Sequence, residues 1–312
     1  MDSRVLVFGY YNKKNAGDDF FVEAFQALFP STSFIFTDRI TSSQLNEVKT
    51  VIFGGGSFLD NKLVIDDDAL PLLFKKDILY IGVGLETQID TIHKQLLQQA
   101  KLIAVRNKHS NSLQFSNIIY IPDLVYALPK LFTYQPNKNV LILPNFATVP
   151  QYDSPQWQYI AWEFFKLEFA QFLDYLIEKG YNINFFGLSQ NHKNNDLYAA
   201  TEIVNKMRRR NDRNIVLDES NYSSVSELFS KFGFVISQKY HGYILAEIIN
   251  IPYISIYHHD KLKESYFDKG QFISYFGLNK QNLIDSFPPN EYALDVDRSL
   301  FDELKTKAAP FL

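Results

Sequence analysis

The stretch VISQKYHGYILA, from Val235 to Ala246, joins two apolar runs through a short polar turn. The first run is short and rich in β-branched residues, which is typical of a buried strand, while the second has the composition of a helix. A buried strand that leads directly into an apolar helix is the repeating unit of parallel sheets with crossover helices. This segment therefore predicts an α/β fold.

The same alternation of short strands and helix-length segments extends in both directions along the 312 residues. It predicts two doubly wound, Rossmann-like domains facing a cleft, a GT-B-like architecture in which ligands bind at the carboxyl ends of the strands. The predicted parts are an N-terminal domain over 1–133, a polar linker at Tyr134–Asn139, a second domain over 140–290 and a helical tail over 291–312. We expect the tail to pack on the first domain. In the second domain a long helix from Gln158 to about Lys179 should end at Gly180, because glycine is a common C-cap.

Composition and charge exclude several classes of protein. The chain has 35 acidic and 31 basic residues, so its net charge of −4 argues against binding nucleic acid by bulk charge. The absence of cysteine excludes disulfides, thiolate metal sites and a thiol nucleophile. No apolar stretch approaches the ~20 residues of a membrane-spanning helix, and the N-terminal apolar run is too short for a signal peptide. We therefore predict a cytoplasmic protein with no nucleic-acid partner.

The first motif is the loop after the opening strand, Val5–Gly9, which contains Asn15, Gly17 and Asp18. Gly17 would let the backbone turn, and Asp18 would cap a helix predicted over Asp18–Leu28. Such residues are common in strand-to-helix turns, so a purely structural cap explains them equally well. The glycine spacing does not match a dinucleotide-binding fingerprint.

The second motif is a glycine turn, in which Gly54, Gly55, Gly56 and Ser57 follow a predicted strand over Thr50–Phe53. Glycines remove side chains where a ligand or another backbone comes close, and their free amides could hold an anion. No Gly-Lys-Ser or Gly-Lys-Thr follows, so the turn is not a nucleotide P-loop.

The third motif is Arg106, one residue beyond the predicted strand Leu102–Val105. An arginine at the carboxyl end of a buried strand can clamp a carboxylate or phosphate with its guanidinium. A surface salt bridge is the competing interpretation, and the sequence leaves both open.

The fourth motif is Lys239 and His241, which lie in the polar turn that follows the predicted strand of the Val235–Ala246 segment. Their side chains would share one face at i and i+2 if the strand geometry persisted. Gly242 would then open a helix that includes Tyr243–Ile249, and the positive end of that helix would favour an anionic ligand.

In this order, the four motifs resemble those of the polysaccharide pyruvyltransferase family. The family's Gly-Asn-x-Gly-Asp loop is matched by Asn15–Asp18, and its Gly-Gly-Gly turn with a following acidic residue by Gly54–Gly56 and Asp60. Its remaining motifs, Val-Arg-Asp, Pro-Asp and Arg-x-His-Gly, are similar to Val105–Asn107, Pro122–Asp123 and Lys239–Gly242.

Two positions depart from the family pattern. Lys239 stands where the family has arginine, and Asn107 stands where it has aspartate. Lysine keeps the positive charge but loses the planar fork that binds a carboxylate or phosphate through two hydrogen bonds.

The resemblance implies a phosphoenolpyruvate donor and a product in which pyruvate forms a ketal with two sugar hydroxyls. It implies His241 as general acid, Asp18 or Asp60 as the group that orients or deprotonates the acceptor, and Arg106 and Lys239 as anion-binding groups. The remaining expected substrate-binding residues are Asn15, Gly17, Gly54, Gly55, Gly56 and Ser57.

The resemblance also implies that phosphoenolpyruvate is a co-substrate and that no cofactor or metal is required. The acceptor would be a glycan or a lipid-linked saccharide, and the latter would bring the protein to the inner face of the membrane. His192, His258 and His259 do not have a convincing metal-ligand spacing.

Two other functions remain open from the sequence. A glycosyltransferase could share the architecture and bind a nucleotide diphosphate through Lys239 and Arg208–Arg210. A catalytically inert, glycan-binding descendant of the family would explain Lys239 and Asn107 as decay of the donor site.

Overall fold

The computed structural model describes residues 4–11, 15–56, 62–84, 89–106, 115, 117–129, 135–145, 154–191, 194–218, 228–257, 271–288 and 297–312. The chain divides into two compact units. Unit 1 takes in residues 1–129 and 296–312, and unit 2 takes in residues 130–295.

Unit 1 contains a six-stranded parallel sheet in the order β2-β1-β3-β4-β5-β6. The strands are β1 Arg4–Phe8, β2 Phe34–Thr37, β3 Val48–Gly54, β4 Asp77–Val83, β5 Leu102–Val105 and β6 Ile118–Tyr120. The helices are α1 Ala16–Leu28, α2 Ser42–Glu47, α3 Leu70–Leu73 and α4 Thr91–Gln99, followed by a 3₁₀ turn at Leu124–Ala127. The central strands are apolar on both faces and almost fully buried, as expected of a parallel sheet covered by helices.

Unit 2 contains a second six-stranded parallel sheet, in the order β11-β8-β7-β12-β13-β14. Its strands are β7 Asn139–Leu143, β8 Asn182–Phe186, β11 Ile215–Asp218, β12 Phe234–Ser237, β13 Tyr253–Tyr257 and β14 Gln271–Ser274, with a small hairpin of β9 Gln190–Asn191 and β10 Asn194–Asn195. Its helices are α5 Pro155–Glu178, α6 Asp196–Lys206, α7 Tyr240–Ile249 and α8 Lys280–Asp285. Numbered within the unit, the order is 3-2-1-4-5-6, the strand order of the dinucleotide-binding Rossmann fold.

The C-terminal segment belongs to unit 1. It consists of a 3₁₀ turn at Arg298–Phe301, helix α9 Asp302–Ala308 and a final 3₁₀ turn at Ala309–Phe311. Thr50 Oγ1 in β3 donates a hydrogen bond of 2.6 Å to the carbonyl of Phe311, and an Arg298 guanidinium nitrogen lies 3.3 Å from the carbonyl of Leu128. These bonds tie the end of the chain to residues that lie 261 and 170 positions earlier.

The prediction of two parallel α/β sheets is confirmed. The short elements α2, α3, α8 and β14 were not predicted, because four to six residues carry too little periodicity to identify a helix or strand. In the described part of the chain, no helix has the length and apolarity needed to cross a membrane.

A buried histidine in unit 1 should make stability depend on pH. His93 in α4 shares a hydrogen bond of 3.1 Å with the Tyr80 hydroxyl and packs edge-on against Phe53. Burial lowers the pKa of His93 to about 4, although the nearby Asp90 carboxylate opposes the shift. Between that value and the ordinary pKa of about 6.5, the unfolded chain binds a proton that the folded protein does not.

We therefore expect the free energy of unfolding to fall as pH drops below about 6.5, with His93 accounting for a loss of about 2 kcal/mol at pH 5. Urea titrations at pH 7 and pH 5 on wild type and His93→Gln would isolate this contribution from that of the carboxylates. The variant should lose less stability than wild type over this interval. Equal losses in the two proteins would show that His93 does not titrate in this way.

Candidate active site

The first predicted motifs of unit 1 lie at the point where its sheet changes winding direction. From β1 the chain crosses to β2 on one side and then to β3 on the other, so the connections that leave β1 and β3 diverge. In open parallel sheets ligands bind at the carboxyl ends of the two strands flanking such a switch point. The Asn15–Asp18 segment follows β1 and the glycine turn follows β3.

The glycine turn is shaped by contacts within unit 1. A Cβ on Gly54 would lie 2.7 Å from the Phe25 ring of α1, and a Cβ on Gly55 would overlap the ring of Phe21. The Tyr11 hydroxyl donates a 2.5 Å hydrogen bond to the Gly54 carbonyl, which links the ends of β1 and β3. Glycine is needed here because α1 packs directly on the backbone of the turn.

The expectation of free amides along this turn is wrong for Gly55. Its amide donates a 3.0 Å hydrogen bond to the Ile81 carbonyl in β4, which extends the sheet ladder by one residue. The Gly56 carbonyl accepts a hydrogen bond from the Gly84 amide. The sequence shows the glycines but not that neighbouring strands already use their polar groups.

Gly55→Ala should destabilise unit 1 by about 3 kcal/mol. Gly55 has φ +74°, where a side chain costs about 1–2 kcal/mol, and overlap with Phe21 adds about 1–3 kcal/mol of overpacking. Gly277→Ala is the control, because a Cβ there meets nothing within 4 Å and should change stability by less than about 0.5 kcal/mol. Equal midpoints for the two variants in thermal denaturation would contradict the packing argument.

The loop motif starts a helix earlier than predicted. Helix α1 begins at Ala16 with Asn15 in the N-cap position, so the expectation that Asp18 caps it is wrong. Asp18 lies in the first turn, where a carboxylate is favoured by the helix dipole, and Gly17 is buried inside that turn. The Asn15 side-chain amide donates a 2.5 Å hydrogen bond to Asp18 Oδ2, so Asn15 fixes the orientation of the carboxylate.

Arg106 lies directly after β5 and forms a buried ion pair with Asp123. One guanidinium nitrogen is 2.7 Å from Asp123 Oδ2, and the two side chains are 4% and 0% exposed. Asp123 Oδ1 also accepts the Val125 amide at the start of a 3₁₀ turn. The sequence allowed either a ligand-binding role or a surface salt bridge for Arg106. The structure contains the salt bridge, but it is buried and lies at the carboxyl ends of the adjacent strands β5 and β6.

In unit 2, Lys239 and His241 follow β12, which with β7 forms the switch point of the second sheet. Strand geometry ends at Ser237, Lys239 is the N-cap of α7, and His241 lies in the first helical turn. The expectation that the two side chains share a strand face is therefore wrong, as is the start of the helix at Gly242. A Cβ on Gly242 would overlap Ser237 Oγ, so this glycine lets α7 pack against the end of β12.

The turn that carries Lys239 is held by side-chain hydrogen bonds. Ser237 Oγ donates to the Lys239 carbonyl at 2.8 Å and accepts its amide at 3.0 Å. The buried Gln238 side chain accepts the Asn145 amide at 3.1 Å, and the backbone amide of Gln238 donates to the Leu143 carbonyl at 2.9 Å. These bonds join the carboxyl ends of β7 and β12 and fix the direction in which the chain enters α7.

Lys239 pairs with an aspartate that the sequence did not single out. Its ammonium lies 2.7 Å from Oδ1 of Asp196, whose side chain is fully buried at the start of α6. Asp196 Oδ2 accepts the Ser189 amide at 2.7 Å. Burial raises the pKa of Asp196, while Lys239 and the Ser189 amide oppose that rise. The contact follows from topology, since β8 and β12 flank β7, but no sequence signal connects positions 43 residues apart.

The remaining predicted positions lie outside the described residues. These are Ser57, Asp60, Asn107, His192, His258 and His259. Among the residues that the structure does describe, no group of three or more His, Asp or Glu could hold a metal ion.

A family model described as polysaccharide pyruvyl transferase matches residues 15–260. This span covers most of the chain and contains the Asn15 loop, the glycine turn, Arg106, Lys239 and His241. The chain belongs to this family. The resemblance drawn from the motifs is thereby confirmed. The name of the family places the chain among transferases that act in polysaccharide metabolism.

Solved structures show the same fold at low sequence identity. UDP-GlcNAc 2-epimerase from Methanocaldococcus jannaschii superposes with a TM-score of 0.56 at 10% identity, covering 91% of both chains. A putative UDP-N-acetylglucosamine 2-epimerase from Listeria monocytogenes gives 0.55 at 12% identity, covering 100% of this chain and 92% of that one. These similarities establish the GT-B-type fold for this family member. Among curated proteins, no significant sequence match was found.

Proposed function

We propose that this protein transfers the pyruvyl group of phosphoenolpyruvate to two hydroxyls of a sugar, forming a pyruvate ketal on a polysaccharide or glycan precursor. The observation that carries the proposal is the family match across residues 15–260, which includes a histidine and a lysine held at the switch point of a Rossmann-type sheet. The acceptor is a glycan or a lipid-linked saccharide.

The reaction needs one proton at carbon and one departing phosphate. Two acceptor hydroxyls each lose a proton as their oxygens bond to the enol carbon, and the methylene carbon takes up one proton to become a methyl group. The bond from the enol carbon to the phosphate oxygen breaks, and phosphate leaves carrying the other proton. His241 is the proposed proton donor, because imidazolium transfers protons near neutral pH. Its place in the first turn of α7 also brings it to the positive end of a helix, which favours an anionic donor.

Arg106 and Lys239 are the proposed groups that hold the carboxylate and phosphate of the donor. Each is already fixed by a buried carboxylate, Asp123 or Asp196, so neither cation has to be ordered when a ligand binds. The Lys239 ammonium carries three N–H donors and forms an ion pair with Asp196 at 2.7 Å. Such preorganised donors stabilise developing charge at little reorganisation cost.

Acidic residues would act on the acceptor. Asp18, oriented by Asn15, is the described candidate for positioning or deprotonating a sugar hydroxyl. Asp60 remains a candidate from the family pattern and lies outside the described residues.

The proposal is tested by incubating the full chain with phosphoenolpyruvate and a panel of methyl hexosides and lipid-linked saccharides, and measuring inorganic phosphate. Acceptor-dependent phosphate release is expected. In D₂O the ketal methyl group should carry one deuterium, because its third hydrogen comes from solvent through the general acid. Consumption of UDP-GlcNAc with no release from phosphoenolpyruvate would instead favour a sugar-nucleotide enzyme, and glycan binding without turnover would favour an inert descendant.

A further inference from the structure

Helix α5 carries a stripe of large apolar side chains on its outer surface. Between residues 157 and 167, every side chain with more than about a third of its surface exposed is Trp, Tyr, Ile, Phe or Leu. Four of them follow a 3-4-3 spacing along one line of the helix: Trp157, Ile160, Phe164 and Leu167. We call these four residues the α5 stripe. Tyr159 flanks it on the same helix.

The opposite face of the same helix is also apolar, so α5 is not an ordinary amphipathic surface helix. Trp162, Phe165 and Phe169 are buried in the core of unit 2. A helix that is apolar all round is normally buried all round. Here Phe164 is 65% exposed, so the part of the chain that the structure describes leaves a second apolar face of α5 without cover.

The charged residues of this segment are turned away from the stripe. Lys166 has a side chain only 6% exposed and pairs with Glu163 at 2.6 Å and with Glu202 of α6 at 3.1 Å. Lys206 binds the other Glu163 oxygen at 2.8 Å. Exposed aromatics beside a buried lysine reverse the usual pattern of a surface helix. These charged groups are neutralised by one another and lie away from the stripe. The stripe is therefore the part of α5 that another molecule would contact.

The apolar area is large enough for a stable protein interface. Aromatic side chains contribute about 150–250 Å² each when fully exposed, so the stripe and Tyr159 together present on the order of 500 Å². That is at the upper end of the largest patches on monomeric proteins, about 300–600 Å². With its polar rim it approaches the ~800 Å² that each partner buries in a standard interface.

We propose that the α5 stripe is the interface through which two copies of this chain form a two-fold symmetric dimer, with their α5 helices antiparallel. The 3-4-3 spacing is that of the seam of paired helices. A two-fold axis that crosses the stripe at the height of residue 162 pairs the stripe with itself, placing Trp157 opposite Leu167 of the second copy and Ile160 opposite Phe164. Such a surface is self-complementary, which an isologous dimer requires.

Charge argues for a protein partner over a membrane. Helices that bind anionic lipid carry Lys and Arg along their polar face. Residues 155–171 contain Glu163 and Glu168 and a single cation, Lys166, which is buried in ion pairs. A lipid surface would gain no electrostatic attraction from this helix.

Sedimentation velocity of the full chain at micromolar concentrations tests the interface. Wild type should sediment at twice the chain mass, and Phe164→Glu should shift to the monomer mass with an unchanged circular dichroism spectrum. Val216→Glu is the control, because Val216 is an exposed apolar residue of unit 2 on the edge strand β11, outside the α5 stripe, and its replacement should leave the dimer intact. A monomeric wild type, or a dimer that survives Phe164→Glu, would overturn the proposal, as would binding of the monomer to anionic vesicles that Phe164→Glu abolishes.

The absence of cysteine allows the antiparallel arrangement to be tested with single thiols. In the proposed pair, Ala161 lies one residue from the axis, so Ala161→Cys should be cross-linked by a short bismaleimide. Gln171→Cys, on the continuation of the stripe, places its two thiols about 27 Å apart at ~1.5 Å per residue and should not react. Cross-linking of Gln171→Cys would indicate parallel helices in register and contradict the proposal, as would an Ala161→Cys variant that does not react.

Discussion

Replacing Asp123 with alanine should lower the free energy of unfolding by about 3–5 kcal/mol, the typical effect of removing one partner of a buried ion pair. Arg106 would remain at the end of β5 with a side chain only 4% exposed and without the carboxylate that now lies 2.7 Å away. The Val125 amide would also lose its side-chain acceptor at the start of the following 3₁₀ turn. Urea denaturation followed by far-ultraviolet circular dichroism measures the change.

Asp66→Ala is the control for that experiment. Asp66 also pairs with an arginine of unit 1, Arg39, at 2.6 Å, but the two side chains are 29% and 63% exposed. Exposed pairs contribute about 0–1 kcal/mol, so this variant should behave nearly as wild type. If Asp123→Ala were as stable as Asp66→Ala, the Arg106 pair would not hold together the ends of β5 and β6.

Replacing His241 with glutamine should slow phosphate release from phosphoenolpyruvate by about 10²–10⁴-fold, the usual contribution of a general acid. Glutamine can keep a hydrogen bond at this position but cannot deliver a proton to the methylene carbon. Donor affinity should change little, because the proposed anion-binding groups Arg106 and Lys239 remain in place. The expected signature is a lower kcat with a nearly constant KM for the donor.

His93→Gln is the matched control, since it removes a histidine that is buried in unit 1 and bonded to Tyr80. It should leave turnover near the wild-type value at pH 7. A rise in KM at constant kcat in His241→Gln would assign His241 to donor binding and not to proton transfer.

The fold was largely predictable because its strands and long helices are strongly patterned. Helix α5 ends at Glu178 with Lys179 as its C-cap, and the predicted Gly180 is the next residue, with φ +81°, where glycine is favoured. Helix α5 begins at Pro155, earlier than the predicted Gln158, because proline is favoured in the first turn of a helix. Helix α7 also begins earlier than the predicted Gly242, because Tyr240 and His241 form the first turn of the helix and not a loop before it.

The candidate site was predictable as a set of segments but not as a set of contacts. Strand ends bearing glycine, arginine, lysine and histidine are visible in the sequence, and sheet order places the motifs after β1, β3 and β12 at the switch points. The partners of the cations are set by which strands become neighbours, which local patterns do not encode. Asp196 is an example: in sequence it marks only the start of a helix, whereas in the fold it holds the ammonium of Lys239.

Calorimetric titration of phosphoenolpyruvate into the full chain tests the proposed donor most directly, because it does not require the acceptor. Arg106→Lys is the appropriate variant, since it keeps a cation beside Asp123 while removing the planar guanidinium fork. The account predicts saturable binding to wild type, weaker binding to Arg106→Lys and no comparable binding of UDP-GlcNAc. Saturable binding of UDP-GlcNAc with no heat from phosphoenolpyruvate would contradict it.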